Sequence, residues 1–229
     1  MNGQDAGYWI AFGDVHERPE NAGRIPGIRE AAGVLISGDM TNRGGTGALS
    51  RVLDAVRAAN PRVLAQIGNM DPEDLTARLE RDGANLHLQV VNLNDGSEMP
   101  PVYAFGVGYS TPTPFGTPSE VQDTQLEQWL EETWARVPDD AHTIAVIHNP
   151  PVHTMCDRLA SGAHVGSPAV RRFLEAAQPD LCITGHIHES RAEDRIGRTV
   201  IVNPGMLAQG GYVRIDLTPD GPAARLLTL

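Results

Sequence analysis

Side chains of the types that bind metal ions follow five apolar runs of this 229-residue chain. The groups are carboxylates, an amide and imidazoles, and a glycine directly precedes the first of them in four of the five cases. A glycine there lets the backbone turn sharply and approach a bound ion closely. The residues are Asp14 and His16 after YWIAFG, Asp39 after GVLISG, Asn69 and Asp71 after VLAQIG, His148 after TIAVI, and His186 and His188 after LCITG.

The chemistry that suits this set is transition-metal binding. Imidazole with carboxylate and amide oxygen favours Mn, Fe, Zn or Ni over Ca or Mg. The set contains no thiolate, which argues against a closed structural zinc site. Because eight groups exceed the needs of one ion, we expect two divalent transition metal ions, with Mn favoured and one carboxylate shared between ions about 3.5–4 Å apart.

Each residue taken alone also has an ordinary structural explanation. Asp14 with His16 could form an Asx turn with a surface histidine, Asn69 could cap a helix, and Asp39 could be a turn residue. The occurrence of such groups at five strand ends favours the metal site over these explanations.

The elements that must position these residues are short strands. Continuous apolar runs are typical of strands covered on both faces. In parallel sheets, ligands gather at the carboxyl ends of the strands, so we expect the polar groups to converge on one crevice. The predicted strands are 8–12, 33–37, 62–67, 143–147, 181–184 and 199–203.

Helices are predicted between several of these strands. Apolar residues recur at helical spacing in 49–57 and 119–137. Ser119 with Gln122 forms a capping-box pattern at the start of the second helix. A third helix is predicted after Ser167 as its N-cap.

Two further segments predict antiparallel strands. LHLQVVNL and VYAFGVG lie on either side of a turn-rich stretch within 86–109, and the C-terminal runs VIVN, GYVRID and ARLLTL show the same pattern. We therefore expect an α/β protein with one domain over 1–229, in which two mixed sheets pack together with helices outside.

Composition restricts the partners. A net charge of −11 and a pI near 5.1 disfavour duplex nucleic acid. The start of the chain has no signal-peptide pattern and no apolar run is long enough to cross a bilayer, so we expect a cytoplasmic protein without a membrane partner. Two cysteines do not form a disulfide framework; Cys182 is expected in the core, whereas Cys156 in a loop beside His153 stays open.

The motifs GDVH (13–16), GDM (38–40), GNMD (68–71), HNPP (148–151) and GHIH (185–188) resemble those of the calcineurin-like metallophosphoesterase superfamily, which run GDxH, GD, GNH[DE], H and GHxH in the same order. The resemblance covers about residues 10–190. HVGSPAV, GHIHES and IVNPG are further similar to a prokaryotic, Icc-related branch of predicted phosphoesterases.

The resemblance implies a four-layer α/β/β/α sandwich and a binuclear site that hydrolyses phosphate esters. It implies that a water or hydroxide between the ions is the nucleophile. By this resemblance Asp39 bridges the two metals, and Asn69 is counted with it among the catalytic residues. The implied ligands are Asp14, His16 and His188 for one metal, and Asn69, His148 and His186 for the other.

One motif departs from the family pattern. Where the family has a histidine thought to assist the leaving group, this chain has Met70, and a thioether cannot donate a proton. General acid catalysis is worth about 10²–10⁴-fold, so we expect phosphodiesters or activated esters to be favoured over alkyl phosphomonoesters. A substitute acid is sought in the loop after His148, where His164 and His153 are the candidates; the alternative is that both are solvated loop residues.

Other interpretations remain at this point. Asn42 and Arg43 could meet a phosphate oxygen or lie in an exposed turn. The expected substrate is a small phosphate ester or nucleotide. The alternatives are a nuclease or cyclic-nucleotide phosphodiesterase of the same superfamily, and a non-catalytic scaffold that keeps the fold.

Overall fold

The computed structural model describes residues 7–229, and its strands form two sheets. Among residues 7–229, no helix combines the length and the apolar character needed to cross a bilayer. The strands are β1 (Tyr8–Phe12), β2 (Gly33–Ile36), β3 (Val63–Ala65), β4 (Val90–Asn92), β5 (Val102–Val107), β6 (His142–Ile147), β7 (Leu181–Ile183), β8 (Ala192–Ile196), β9 (Thr199–Asn203), β10 (Gly211–Thr218) and β11 (Gly221–Thr228).

Both sheets are mixed, with parallel strands in the middle or on one side. The first sheet has the order β11-β10-β1-β2-β3, in which β1, β2 and β3 run parallel and β10 and β11 run antiparallel to their neighbours. The second has the order β4-β5-β6-β7-β9-β8, in which β5, β6, β7 and β9 are parallel and the two edge strands are antiparallel. The parallel strands of each sheet therefore end at one edge.

In the part of the chain that the structure describes, four α-helices cover the outer faces. They are α1 (Thr46–Arg57), α2 (Leu75–Arg81), α3 (Asp123–Trp134) and α4 (Pro168–Ala177). Alternate residues of β1 show how the layers are built, since side chains of a strand point to opposite faces. Ile10 and Phe12 are in a core shared with α1 and α2, whereas Trp9 and Ala11 are in the core between the sheets.

A third core lies between the second sheet and the remaining helices. Phe105 of β5 and Ile147 of β6 share it with Leu126 of α3 and with Val170 and Leu174 of α4. The resulting layers are helix, sheet, sheet and helix, which confirms the predicted α/β/β/α sandwich.

The start of α3 differs from the prediction. The helix begins at Asp123 with Gln122 as its N-cap, not at Ser119. The hydroxyl of Ser119 donates to the Asp71 carbonyl at 2.5 Å, and Val121 N donates to Ser110 O at 2.9 Å. These bonds, together with the isolated bridge between Ser110 and Glu120, hold residues 119–121 outside the helix. The cap of α4 is as predicted, with Ser167 accepting a hydrogen bond from Val170 N.

The C-terminal strands also differ from a simple meander. β9 belongs to the second sheet, where it pairs with β7 and with β8, a strand not predicted from the sequence. β10 crosses to the first sheet and pairs with β1. β8 escapes prediction because its sequence AEDRI carries three charged residues and lacks an apolar run.

Candidate metal centre

The predicted ligands meet where the two sheets end side by side. Asp14 and His16 follow β1, Asp39 follows β2 and Asn69 follows β3, all in the first sheet. His148 follows β6, and His186 and His188 follow β7 in the second sheet. The centre therefore spans the seam between the sheets, as parallel topology leads one to expect.

One group of ligand atoms surrounds Asp14. One potential ligand atom from each of Asp14, His16, Asp39 and His188 lies within 4.8 Å of the others. His188 Nε2 is 3.3 Å from Asp14 Oδ1 and 2.9 Å from His16 Nε2. His16 Nε2 is also 3.8 Å from Asp39 Oδ2.

A second group surrounds the carboxamide of Asn69. Its Oδ1 is 2.6 Å from His186 Nδ1 and 3.1 Å from His148 Nε2. His148 Nε2 is in turn 3.5 Å from Asp39 Oδ2. Asp39 thus contacts both groups, which is the place that the family resemblance gives to a bridging carboxylate.

Hydrogen bonds on the far side of two rings fix which nitrogen faces the centre. His148 Nδ1 lies 3.1 Å from the carbonyl of Ser37, so this nitrogen carries the proton. His16 Nδ1 lies 2.7 Å from Asn42 Oδ1, and the amide of Asn42 is oriented by its own bond from Nδ2 to His16 O. In the neutral rings, Nε2 of both histidines therefore presents a lone pair to the centre.

The backbone at the ligands is held in unusual conformations. Asp14, His16, Asp39 and His186 have φ angles of 48°, 49°, 51° and 68°, which non-glycine residues adopt at a cost of about 1–3 kcal/mol each and which cluster at functional sites. At Gly38, φ is 132°, and a Cβ atom would lie 2.6 Å from His148 Nδ1. Only glycine fits there.

Charge distributes unevenly over the centre. Burial alone would raise the pKa of Asp39, but the charge and hydrogen bond of His148, together with His16, lower it. Burial opposes charge on His148 as well, yet Asp39 raises the pKa of this ring. Burial and the neighbouring charge of His148 lower the pKa of His186 to about 4. His186 is therefore neutral near pH 7 and can act as a nitrogen ligand.

These features fit divalent cations. Asp14 Oδ2 is buried and has no hydrogen-bond partner among residues 7–229. His16 Nε2 and His148 Nε2 lie 3.8 and 3.5 Å from Asp39 Oδ2, and Asn69 Oδ1 lies 3.1 Å from His148 Nε2, so that nitrogen and oxygen ligand atoms surround a common space. The donor set of imidazole nitrogens with carboxylate and amide oxygens is that of a transition-metal site.

Asp71, which the sequence pattern predicts to lie among the ligands, holds two loops together by hydrogen bonds instead. Its two oxygens accept hydrogen bonds from Met40 N, from Thr41 N and Oγ1, and from Gly68 N at 2.7–3.0 Å. Burial and the nearby charge of Asp39 raise its pKa to about 6. Asp71 therefore ties the loop after β2 to the loop after β3 and has no oxygen free for a metal.

Met70 contributes through its backbone. Its N–H donates to Asp39 Oδ1 at 2.7 Å, and its side chain lines the cavity above the ligands. The position therefore orients the shared carboxylate and supplies no proton donor.

The two loop histidines predicted as substitute acids do not line this cavity. His164 Nδ1 is 2.7 Å from Asp157 Oδ1, and its ring contacts that of His153 with centroids 5.2 Å apart. The buried carboxylate of Asp157 also accepts from Thr154 N and Gly166 N. The loop between β6 and α4 is thus organised around Asp157, and neighbouring apolar residues, not the histidines, face the cavity.

Three smaller predictions are resolved by burial and contacts. Cys156 is fully buried and burial raises its pKa to about 12, so it is a core residue like Cys182. Asn42 supports His16, as described above. Arg43 donates from Nη2 to the carbonyls of Phe115 and Gly116 at 3.2 and 2.9 Å.

The cavity over the ligands has a volume of about 1050 Å³. One of its walls is the segment 111–118, TPTPFGTP, which we call the proline segment. Thr117 of this segment accepts a hydrogen bond from Asn69 Nδ2 at 2.9 Å. Sequence reasoning missed this wall; three prolines within eight residues were the available signal for a rigid segment.

The family model for calcineurin-like phosphoesterases matches residues 10–190. This chain belongs to that family. This calcineurin-like phosphoesterase is 30% identical over 188 residues to an uncharacterized protein of Methanocaldococcus jannaschii. The aligned residues make up 78% of this chain and 81% of that protein.

Solved structures share the calcineurin-like fold at low identity. A crystal structure from Thermus thermophilus has a TM-score of 0.71 at 17% identity, covering 97% of this chain and 99% of that one. A dimetal phosphatase from Danio rerio has a TM-score of 0.61 at 12% identity, and the match covers 98% of this chain and 99% of that one. GAP50, the anchor in the inner membrane complex of Plasmodium, has a TM-score of 0.66 at 12% identity, and the match covers 98% of this chain and 85% of that one.

Proposed function

We propose that this chain is a binuclear metal-dependent phosphoesterase and that phosphodiesters are favoured over alkyl phosphomonoesters. The observation that carries the proposal is the convergence of ring nitrogens and acceptor oxygens from two sheets around Asp39, which lies 3.5 Å from His148 and 3.8 Å from His16. Two divalent ions held there would lower the pKa of an attacking water and neutralise the phosphate oxygens.

The residues of the chain bind and orient. Asp14, His16 and His188 would hold one ion, and Asn69, His148 and His186 the other, with Asp39 between them. The backbone N–H of Met70 keeps one oxygen of Asp39 in place, and Ser37 O keeps the ring of His148 turned toward the centre. Such supporting contacts typically change metal affinity 10–100-fold when removed.

The preference for diesters rests on the leaving group. Met70 lines the cavity at the position where the family pattern has histidine, and His153 and His164 do not line the cavity. Without a proton donor, poor alkoxide leaving groups lose about 10²–10⁴-fold in rate. Esters with a more acidic leaving group are affected less.

The test is hydrolysis by protein loaded with Mn²⁺, the metal that we favour. Bis-p-nitrophenyl phosphate is expected to be cleaved faster than p-nitrophenyl phosphate, and both faster than a simple alkyl phosphate. Folded, metal-loaded protein that is inert toward phosphomonoesters, phosphodiesters and cyclic nucleotides alike would refute the proposal.

A non-catalytic scaffold is the rival function. Met70 favours it, and so does a fold shared with an anchor protein. The complete ligand set opposes it, because burying such groups without a metal is costly. Elemental analysis separates the two: fewer than one transition metal per chain after loading supports the scaffold.

A nuclease acting on duplex is disfavoured by the net charge of −11. We propose instead that the substrate is a small phosphate ester. We also propose that the protein acts in the cytoplasm.

A further inference from the structure

The cavity beside the metal centre has an apolar wall that the metal site does not require. Residues from four separate parts of the chain contribute to this apolar lining, so it does not depend on one exposed residue. They are Met70, Pro112, Pro114, Phe115, Val165 and Met206.

Phe115 is the most exposed part of this wall. Its residue surface is 80% accessible, whereas burial of such a ring is normally a large stabilising contribution. The backbone that carries this ring is held in place, because Arg43 donates to the carbonyls of Phe115 and Gly116 and Asn69 donates to Thr117. The proline segment is therefore bonded both to a metal ligand and to the loop after Asp39.

The charges in the cavity argue against a substrate with several phosphates. Outside the metal centre, the charged residues lining it are two acidic ones, Glu17 and Glu189, and two basic ones, Arg18 and Arg43. Arg43 is already engaged by two carbonyls. The cavity thus offers no surplus of cationic groups to a second phosphate, since such groups are what bind one.

We infer that the site takes a singly charged phosphodiester with an aromatic group that packs against Phe115 and the proline segment. This inference rests on the proposed function and adds the substrate class. A cavity of about 1050 Å³ has room for a phosphodiester and an attached ring system, because ligand pockets typically measure about 300–1,000 Å³. The apolar wall binds the ring while the metal centre binds the phosphate.

Two diester analogues without a cleavable ester bond test the inference by calorimetric titration of the Mn²⁺-loaded protein. Methylphenylphosphinate and dimethylphosphinate carry the same single charge and differ only in phenyl for methyl. We expect the phenyl compound to bind roughly tenfold tighter, since burying a ring contributes at least that much. Phe115→Ala should remove most of this preference and leave the affinity for the methyl compound within about twofold. Met155→Ala is the matched control, because Met155 is also exposed but lies outside the cavity.

The outcomes separate this inference from the proposed function. Equal binding of both analogues, with hydrolysis of bis-p-nitrophenyl phosphate intact, overturns the apolar preference and leaves the phosphoesterase standing. A phenyl preference that survives Phe115→Ala overturns the role given to this wall. Absence of both binding and hydrolysis in folded, metal-loaded protein overturns the proposed function and this inference with it.

Discussion

Asn69 donates a hydrogen bond from Nδ2 to Thr117 Oγ1 at 2.9 Å, and this bond decides which end of the Asn69 amide faces the metal centre. Thr117 Oγ1 lies 2.5 Å from Glu120 Oε1, so the threonine hydroxyl donates to the carboxylate and accepts from Asn69. Burial tends to raise the pKa of Glu120, but hydrogen bonds from Thr113 and Thr117 lower it to about 2. Glu120 is therefore a permanent acceptor near pH 7, and Asn69 Oδ1 is left facing His148 and His186.

Thr117→Val should weaken metal binding. Valine keeps the shape of threonine but removes the hydroxyl that holds Asn69, so the amide is free to turn its nitrogen toward the centre. We expect the affinity for Mn²⁺ to fall about tenfold, measured by calorimetric titration of metal-free protein. Thr117→Ser keeps the hydroxyl and should retain the affinity. Equal affinities of the valine and serine variants would show that the bond does not orient Asn69.

Asp39→Asn should abolish most of the activity. The shared carboxylate loses its charge, and the amide nitrogen placed near His148 and His16 repels a cation. We expect a fall in kcat/KM for bis-p-nitrophenyl phosphate of at least about 10²-fold, with fewer ions bound per chain by elemental analysis. His142→Asn is the control, because His142 lies at the opposite end of β6 from His148. This variant should keep both the activity and the number of bound ions. Full activity in Asp39→Asn would contradict the bridging role.

Met70→His should broaden the range of leaving groups. The new imidazole would stand in the cavity wall above the ligands and could donate a proton. We expect the ratio of alkyl phosphate to nitrophenyl phosphate hydrolysis to rise roughly tenfold or more. Met70→Gln, of similar size but without a titratable proton, should leave the ratio unchanged. If both variants change the ratio equally, the effect is one of cavity shape.

His87 should make stability depend on pH. Burial lowers the pKa of this ring to about 4 from 6.5, and its Nδ1 accepts a hydrogen bond from Gly108 N at 3.1 Å. The contribution of neutral His87 to the free energy of unfolding is fully present above the pKa of the unfolded chain, near 6.5. It is lost as pH falls toward 4, because only the unfolded chain takes up the proton there.

Urea unfolding at a series of pH values measures this loss. Between pH 7 and 5 the wild type should lose roughly 1–2 kcal/mol more than a variant without the titrating ring. His87→Gln and His87→Phe should both flatten the pH dependence by this amount, although they differ in absolute stability because only glutamine can accept from Gly108 N. An unchanged slope in both variants would mean that His87 titrates normally.

Local sequence carried much of the architecture. Apolar runs such as YWIAF and TIAVI mark β1 and β6 because buried parallel strands need apolar side chains on both faces. Glycine before Asp14, Asp39 and His186 marks the points at which these strands end. From these, the layers and the meeting of the ligands could be expected from the residues alone.

Tertiary contacts decided what the sequence could not. Ser119 has the residue type of a helix cap, but its hydroxyl bonds to Asp71 O across 48 positions and the helix starts later. Asp71 has the residue type of a ligand, but four donors from two loops use its oxygens. Phe115 sits in a stretch without periodicity, so its place in the cavity depends on its bonds to Arg43. In each case the competing interaction comes from a distant part of the chain.

The location of the centre at the seam has a mechanical consequence. Four of the seven predicted ligands belong to the first sheet and three to the second, so bound ions would link the two sheets of the sandwich. Cations at about a hundredfold excess over Kd would add about 2.7 kcal/mol to the free energy of unfolding. A chelator would therefore lower the stability of the packed sheets as well as abolish the activity.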